Sequence, residues 1–477
     1  MKRWIAELRA LLALAIPGTL STYCFFAISI TELSVMGHLG VAQLAAVAYA
    51  QMALDLSTLV FMQGLNAGLN ALCSQAFGAR NYHLLGEYAL LTLFALSLMC
   101  VPMGLLWWHL GDLLSLAGVA EPVVAYARAY ARLSVLWLWP RNVFQVFSIF
   151  YQAQQIVLPT TLANALAVAL NFVLALGLTH GKFGLPRLGF VGCPLGTALA
   201  LWTRLVAYLL YMNAYKKLHR RCAWRWDWTF LDWRVFRNLV AVGLPLAAGN
   251  LFENAQLTTM ALFASQIGEV QLGSHNSMME LFYFATSPIY GLINGAVTRI
   301  GVHLGAGEPG SARLVAQLSA AGIVVLTSAN SAIIVGCRRD LGRIFSEDAA
   351  VIASFAQICS LAALAYLILA FFYYAIIVLQ AQARPAAISV GFAAGAWLVG
   401  VPTAYYLGLA RASPPQLLGI WLGMLCGYAV TSAIGFYVAF FRANWREAAA
   451  RAVERSQLLK HKLGEPRDDD PLLLPQC

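Results

Sequence analysis

Twelve apolar runs of roughly 20–28 residues, each long enough to cross a bilayer as a helix, follow one another along this chain of 477 residues. No other feature constrains the fold so tightly. Inside a bilayer every backbone N–H and C=O needs a partner within the protein, so only helices and closed barrels can cross it. A barrel strand needs about ten residues and alternates polar with apolar, whereas a helix needs about 20. The runs have the helical length, with approximate limits 11–37, 44–72, 87–110, 122–147, 157–179, 189–213, 238–265, 272–299, 313–336, 350–376, 386–409 and 416–441. The fourth is the least regular, because Arg128, Arg132 and Arg141 interrupt it. Composition agrees: 60% of residues are hydrophobic and 11% charged, against about a quarter charged in soluble domains. The expected fold class is an all-α membrane protein with twelve transmembrane helices.

A formal charge of +10 raises the question of a nucleic-acid partner. The basic residues, however, cluster between apolar runs and in the tails, as in "YKKLHRRCAWRWDW" (215–228). No recognition motif accompanies them, so no nucleic acid is expected. Their distribution instead follows the excess of Lys and Arg in cytoplasmic loops. With the N-terminus inside, the cytoplasmic side collects Lys2, Arg3, Arg9, Arg80, the cluster from Lys216 to Arg237 and the tail from Arg442 to Arg467. Both termini are therefore expected in the cytoplasm, with the chain in the plasma membrane or an organelle membrane. The first run begins like a signal peptide, but Glu7 interrupts it and no small-residue cleavage site follows, so it is read as a retained helix. The nine cysteines are scattered without CxxC or Cys/His spacing, and no metal site is read from them.

The chain also repeats itself. Pro17 in "LALAIPG" matches Pro245 in "LVAVGLP", 228 residues later. At the same offset Gln43-Leu44 matches Gln271-Leu272, and "QAQQ" (152–155) matches "QAQA" (380–383). Close to it, "LCSQAFGAR" (72–80) answers "IGVHLGAGE" (300–308), and "LGF" (188–190) answers "LGI" (418–420). Six spans return the chain to its starting side, so the halves are parallel repeats, an architecture of transporters. The expected division is an N-terminal six-helix lobe at 1–213, a basic cytoplasmic linker at 214–237, a C-terminal six-helix lobe at 238–441, and a basic, disordered cytoplasmic tail at 442–477.

Acids deep in these runs are the candidates for chemistry. In "AAGNLFENAQLTTMALFA" (247–264), Asn250, Asn254 and Thr258 share a helix face with Glu253 beside them. In "SHNSMMELFYFATSPIYG" (274–291), Asn276, Glu280, Tyr283 and Ser287 share another, with Pro288 just beyond. A carboxylate at mid-membrane costs at least about 2.5 kcal/mol on insertion scales, so it faces protein or water and usually marks function. A carboxyl withdrawn from water holds its proton more firmly, and an arriving cation then competes with that proton. Glu32 lies about five residues from the end of the first run, shallow enough to snorkel. Asp55 shares a stripe with Gln51, Thr58 and Asn66 on the second. Arg128, Arg132 and Arg204 are assigned no role, being read as snorkelling or inward-facing.

These residues sit in stretches that match a known pattern. "MGHLG" (36–40), "GLNAGLNALCSQAFGARN" (64–81), "GSHNSMMEL" (273–281), "GAVTRIGVHLGAGEPGSAR" (295–313) and "LQAQARPA" (379–386) resemble the multidrug and toxic compound extrusion (MATE) family, of the eukaryotic type. The resemblance implies two six-helix lobes around a central cavity. It also implies a secondary active antiporter, not an enzyme, that exports small organic, often cationic, compounds by alternating access. The coupling ion would be H⁺, with Na⁺ as the alternative, and no cofactor is implied. Glu253 and Glu280 fall where eukaryotic-type members carry carboxylates. Glu32 falls where many prokaryotic members have an Asp, with Asn171 and Thr197 near that site's polar partners, so these with Asp55 form a candidate N-lobe cation site. A second prokaryotic-type Asp is Ala175 here, and no acid lies between Ala365 and Phe372, where several members carry one. The substrate and proton-coupling residues expected are thus Glu253, Glu280, Asn250, Asn254, Tyr283 and Asn276, in a chain acting as a monomer in the lipid bilayer. The nearest rival is a flippase for a lipid-linked sugar, which would need cationic residues for pyrophosphate. A membrane acyltransferase is the rival from another class, but no nucleophile accompanies His109 or His180.

Overall fold

A computed structural model of the protein describes residues 2–58, 62–116, 118–217, 231–345, 348–411 and 416–457. Among them no strand is found, as expected where each span must satisfy its own backbone. The chain opens with α1 (Lys2–Gly37), α2 (Val41–Thr58) and α3 (Gly64–Gly78). Next come α4 (Tyr82–Trp108), the short α5 (Leu110–Leu116), α6 (Glu121–Ala153) and α7 (Leu158–His180). Then α8 (Gly192–Leu209) widens into a π-helical stretch at Leu210–Tyr215. The second half runs through α9 (Trp233–Ile267), α10 (Glu269–Gly305), α11 (Pro309–Gly336), the short α12 (Arg338–Phe345) and α13 (Ala349–Ala381). Beyond it α14 (Ala386–Phe392) and α15 (Val401–Tyr405) alternate with π-helical stretches at Ala393–Gly400 and Tyr406–Ala410. The last helices are α16 (Leu417–Phe440) and α17 (Trp445–Gln457).

All twelve runs fall on helix, and among the described residues nine helices are long and apolar enough to cross a membrane by length and composition. The three runs outside that group show why. The second is divided between α2 and α3. The fourth, α6, carries Arg128, Arg132 and Arg141 yet stays helical through all three. The eighth, α10, carries the polar segment from Ser274 to Glu280.

The repeat read from sequence is a repeat of structure. Helices α6 and α13 begin 228 residues apart, at Glu121 and Ala349, and end 228 apart, at Ala153 and Ala381. Pro17 and Pro245 both lie inside the first helix of their half. The matched glutamines belong to matched turns: Gly40 and Gly268 have φ of +152° and +156°, a conformation that favours glycine. A Cβ there would stand 2.6 Å from Gln43 Oε1 or 2.9 Å from Gln271 Oε1. Likewise "QAQQ" and "QAQA" end on Gln155 and Ala383, both left-handed at φ +65° and +54°.

Glycine also fixes the closest helix pairs. In α8, a Cβ on Gly192 would lie 2.4 Å from Leu178 O and one on Gly196 2.7 Å from Ala175 N, so the backbones of α7 and α8 touch. In α16, Gly419 and Gly423 meet Leu407 O at 2.4 Å and Ala404 N at 2.3 Å in the same way. Both are small-xxx-small spacings, the device by which membrane helices approach when apolar burial gives them no drive to associate.

Two compact units emerge, each with its own core. The first unit comprises residues 20–240 and 454–477, around Tyr88, Trp107, Tyr130, Phe150 and Tyr151. The second comprises residues 1–19 and 241–453, around Phe355, Tyr366, Phe372, Phe392 and Trp421. The opening of α1 is thus counted with the second half of the chain. Most of the expected linker, 218–230, and the end of the tail, 458–477, lie outside the described residues. The start of that tail is helical rather than disordered. Asn444 accepts from the backbone N–H of Arg446 and Glu447 at 3.2 and 3.3 Å and so caps α17, whose Ala448, Ala449 and Ala452 are buried.

Candidate functional site

In the first unit five helices converge on one carboxylate. Glu32, on α1, is 5% exposed. Its Oε2 accepts from Gln51 Nε2 of α2 at 2.7 Å and from the Tyr130 hydroxyl of α6 at 2.8 Å. Its Oε1 accepts from the Thr197 hydroxyl of α8, which in turn accepts from Asn171 Nδ2 of α7 at 2.7 Å. Asn171 Oδ1 is buried with no hydrogen-bond partner. Glu32 therefore does not snorkel: other helices fold donors over it. The structure brings Glu32, Asn171 and Thr197 together as the sequence suggests and adds Tyr130, whose only local mark is its place among the interrupting arginines. Gln51 is signalled by its stripe. Asp55 stands apart from these hydrogen bonds, with its side chain half exposed and Arg141 Nη1 3.8 Å away.

Two guanidinium groups make a second tier in the same unit. Arg141 lies over the rings of Phe25 and Trp137, at 4.9 and 5.3 Å to the ring centroids. Arg204 lies over Phe144 at 4.0 Å, and its Nη1 donates to Asn164 Oδ1 at 3.0 Å. Each feels the other's charge. By contrast Arg128 pairs with Asp112 at 3.1 Å, and Arg132 donates to Trp108 O at 3.2 Å.

The second unit holds its acids differently. Glu253 on α9 is partly buried and Glu280 on α10 is exposed, and neither accepts a hydrogen bond among the described residues. Both lie within electrostatic reach of Tyr283, itself 36% exposed. Glu253 also bears on Tyr290, Tyr373 and Tyr428, which come from α10, α13 and α16. The polar stripe beside Glu253 is satisfied along its own helix: Asn254 Nδ2 donates to Asn250 O at 2.8 Å and Thr258 Oγ1 to Asn254 O at 2.9 Å. These side chains are not spent on the acid. Asn276 is exposed on α10 one turn before Glu280. His275 faces away from this group, buried with its ring 5.6 Å from Trp421. Gln256, one turn beyond Glu253, is fully buried with neither amide atom partnered.

A further acidic cluster of the second unit sits at the α10–α11 turn. Arg299 grips Glu7 through Nε at 2.9 Å and Nη2 at 3.0 Å. His303 lies between Glu7, at 3.3 Å, and Glu308, at 3.0 Å. Ser311 Oγ donates to Glu308 at 2.9 Å. That donation, helped by His303 and the nearby charge of Arg3, holds the Glu308 carboxyl below its ordinary range.

The sequence model of the MatE family matches residues 17–176 and matches again at 245–406, two segments that begin 228 residues apart. The chain belongs to the MatE family. As a member it is a multi-pass membrane transporter and not an enzyme, and the double match repeats the offset of its helices. It is 25% identical over 463 residues to Protein DETOXIFICATION 14 of Arabidopsis thaliana, covering 95% of this chain and 92% of that one. It is also 25% identical over 443 residues to the multidrug resistance protein MdtK of Edwardsiella ictaluri, covering 91% of this chain and 94% of that one. The crystal structure of the eukaryotic MATE transporter AtDTX14 superimposes with a TM-score of 0.85 at 24% identity, over 95% of this chain and 100% of that one, which establishes the shared fold.

Proposed function

We propose that this MATE protein exports small organic cations in exchange for protons by alternating access, with Glu253 and Glu280 as the exchanging acids. The names of the relatives, detoxification and multidrug resistance proteins, support efflux as the task. The observation that carries the proton reading is the bareness of this pair. Two acids on consecutive helices share Tyr283 as electrostatic neighbour, and neither accepts a hydrogen bond among the described residues. A carboxylate without protein donors is neutralised by a proton or by a positively charged solute, and the two exclude each other. Exposure of Glu280 lets water or solute reach it, and the tyrosine faces offer a cation–π surface. The excess of Lys and Arg places both termini in the cytoplasm, with one chain as the working unit.

A second reading has its own support. The oxygens of Glu32, Thr197 and Tyr130, with the unpartnered Asn171 Oδ1, are the donor types that a hard cation such as Na⁺ takes. The test is flux in liposomes loaded with ethidium. A pH gradient, acidic outside the exporting face, is expected to drive ethidium out. Export that survives collapse of that gradient with nigericin and follows a Na⁺ gradient would transfer coupling to Glu32.

A further inference from the structure

Arg204 is a cation at mid-span without an acid. It stands 12 residues after Gly192 and 11 before Tyr215 in one continuous helical stretch, so about 18 and 16 Å from its ends at 1.5 Å per residue. At that depth a guanidinium is costly and normally finds a carboxylate or backbone carbonyls. Arg204 has only Asn164 Oδ1, on Nη1. Its Nε is buried without a partner, and Nη2 makes no hydrogen bond among the described residues. Nε and Nη2 form the side-on fork of the group, the edge that takes the two oxygens of a carboxylate. Phe144 lies flat against the guanidinium face at 4.0 Å, leaving that edge to other groups.

The surroundings add positive charge rather than remove it. Arg141 is close enough to repel Arg204. The one acid near the two, Asp55, approaches Arg141 only to 3.8 Å. Glu32 already accepts from Gln51, Tyr130 and Thr197. Two buried-side cations facing one loosely held acid make a local excess of positive charge, and an oxyanion would complete it.

We infer that Arg204, supported by Arg141, Asn164 and Phe144, is a subsite for the carboxylate of an organic solute, so that the exported compounds include zwitterions and organic anions. This rests on the reading of the chain as an exporter and extends it beyond simple cations. A cationic group on such a solute would be served by the acids already described, its carboxylate by Arg204.

Rhodamine B, which carries a free carboxylate, and its ethyl ester, which does not, probe that single difference. Binding of both is measured by fluorescence anisotropy on the full chain in phosphatidylcholine nanodiscs, which keep anionic headgroups out. The acid-to-ester affinity ratio is expected to fall about tenfold or more in Arg204→Gln and by an intermediate amount in Arg204→Lys, which keeps the charge but not the fork. Inorganic phosphate is expected to compete with the acid more than with the ester. A ratio unchanged within about twofold in Arg204→Gln, or no binding of either dye to the wild-type protein, overturns the proposal. Because the readout is a ratio, a general loss of folded protein cancels. Proton-driven flux of both dyes in liposomes separates the two readings. Flux absent with Arg204-dependent binding intact sinks the antiport reading alone, whereas flux present with Arg204-independent binding sinks the subsite alone.

Discussion

In the first unit Glu32 accepts three hydrogen bonds from three helices, while in the second unit Glu253 and Glu280 accept none among the described residues. The difference sets what each acid can exchange. When Glu32 takes up a proton it must become a donor, so Thr197, Tyr130 or Gln51 has to turn and the change spreads into Asn171. Protonation there is a rearrangement of α1, α2, α6 and α8 together. Glu253 and Glu280 have no such partners to turn. Their charge can come and go without repacking the unit, as suits a site whose occupant alternates between proton and solute. One unit holds a built cage and the other an open pair.

The largest expected effect breaks the comparison at the open pair. Glu253→Gln and Glu280→Gln keep the shape and remove only the ionisable group. Each is expected to cut proton-driven export by the full coupling, about 5–150-fold for a coupling free energy of 1–3 kcal/mol, with no loss of thermal stability. Glu32→Gln should retain part of the activity. Transport measured against pH at matched membrane expression decides it. A dead Glu32→Gln beside two fully active second-unit variants would assign coupling to the cage.

The cage should show itself first in stability. Thr197→Val removes the hydroxyl between Asn171 and Glu32, leaving a donor without acceptor and a buried carboxylate one bond short. A hydrogen bond to a charged group is worth about 1.5–3 kcal/mol, so thermal unfolding is expected several degrees lower, with Thr197→Ser restoring it. Unchanged stability would mean that the donors are incidental.

A slightly smaller effect tests whether the scaffolds under the two sites are equivalent. Gly196→Ala in the first unit and Gly423→Ala in the second place a methyl against backbone, 2.7 Å from Ala175 N and 2.3 Å from Ala404 N. Backbone cannot turn aside as a side chain can, so each is expected to cost about 1–3 kcal/mol by overpacking. Gly423→Ala should be the worse of the two. If only one matters, the repeat is shared in outline but not in load.

What could be read beforehand follows from how local each signal is. The spans are legible because a bilayer imposes one length on every crossing. The repeat is legible because Pro17 and Pro245, or Gln43 and Gln271, occupy positions that the backbone dictates. The glycine pairs Gly192/Gly196 and Gly419/Gly423 also lie in plain view as small-xxx-small spacings, although only the structure shows which backbone they admit. The cage around Glu32 is not legible, since its donors are 19, 98 and 165 residues away. Counting from the helix end makes Glu32 look shallow, yet burial depends on what other helices lay over it. Arg204 is illegible for the opposite reason. A lone arginine in a span looks like any snorkelling cation, and only the absence of an acidic partner in three dimensions sets it apart from Arg128. The helix α17 is hidden by its basic composition, although Asn444 before "WREAAARAVERSQ" is a capping signal.

The smallest effect asks whether donors alone, without membrane depth, make an acid important. Glu308 lies at the α10–α11 turn with its side chain 54% exposed, and Ser311 and His303 donate to it as other residues donate to Glu32. Those donors hold its carboxyl below the ordinary value of 4.5. A carboxyl lowered in the folded state adds stability that is present above the unfolded value and is lost as pH falls through the folded one. Wild-type thermal stability should therefore decline as the pH drops below about 4.5, and Glu308→Gln should flatten part of that decline. Exposure and screening limit the difference to about 0.2–1 kcal/mol, and proton-driven export near neutral pH should be untouched. Unfolding temperatures from neutral pH down to acid, in both proteins, provide the check. Coincident profiles would show that a donor-held acid at the surface contributes nothing measurable. A loss of export in Glu308→Gln would instead place this turn in the transport cycle, and the contrast between caged and open acids would have to include it.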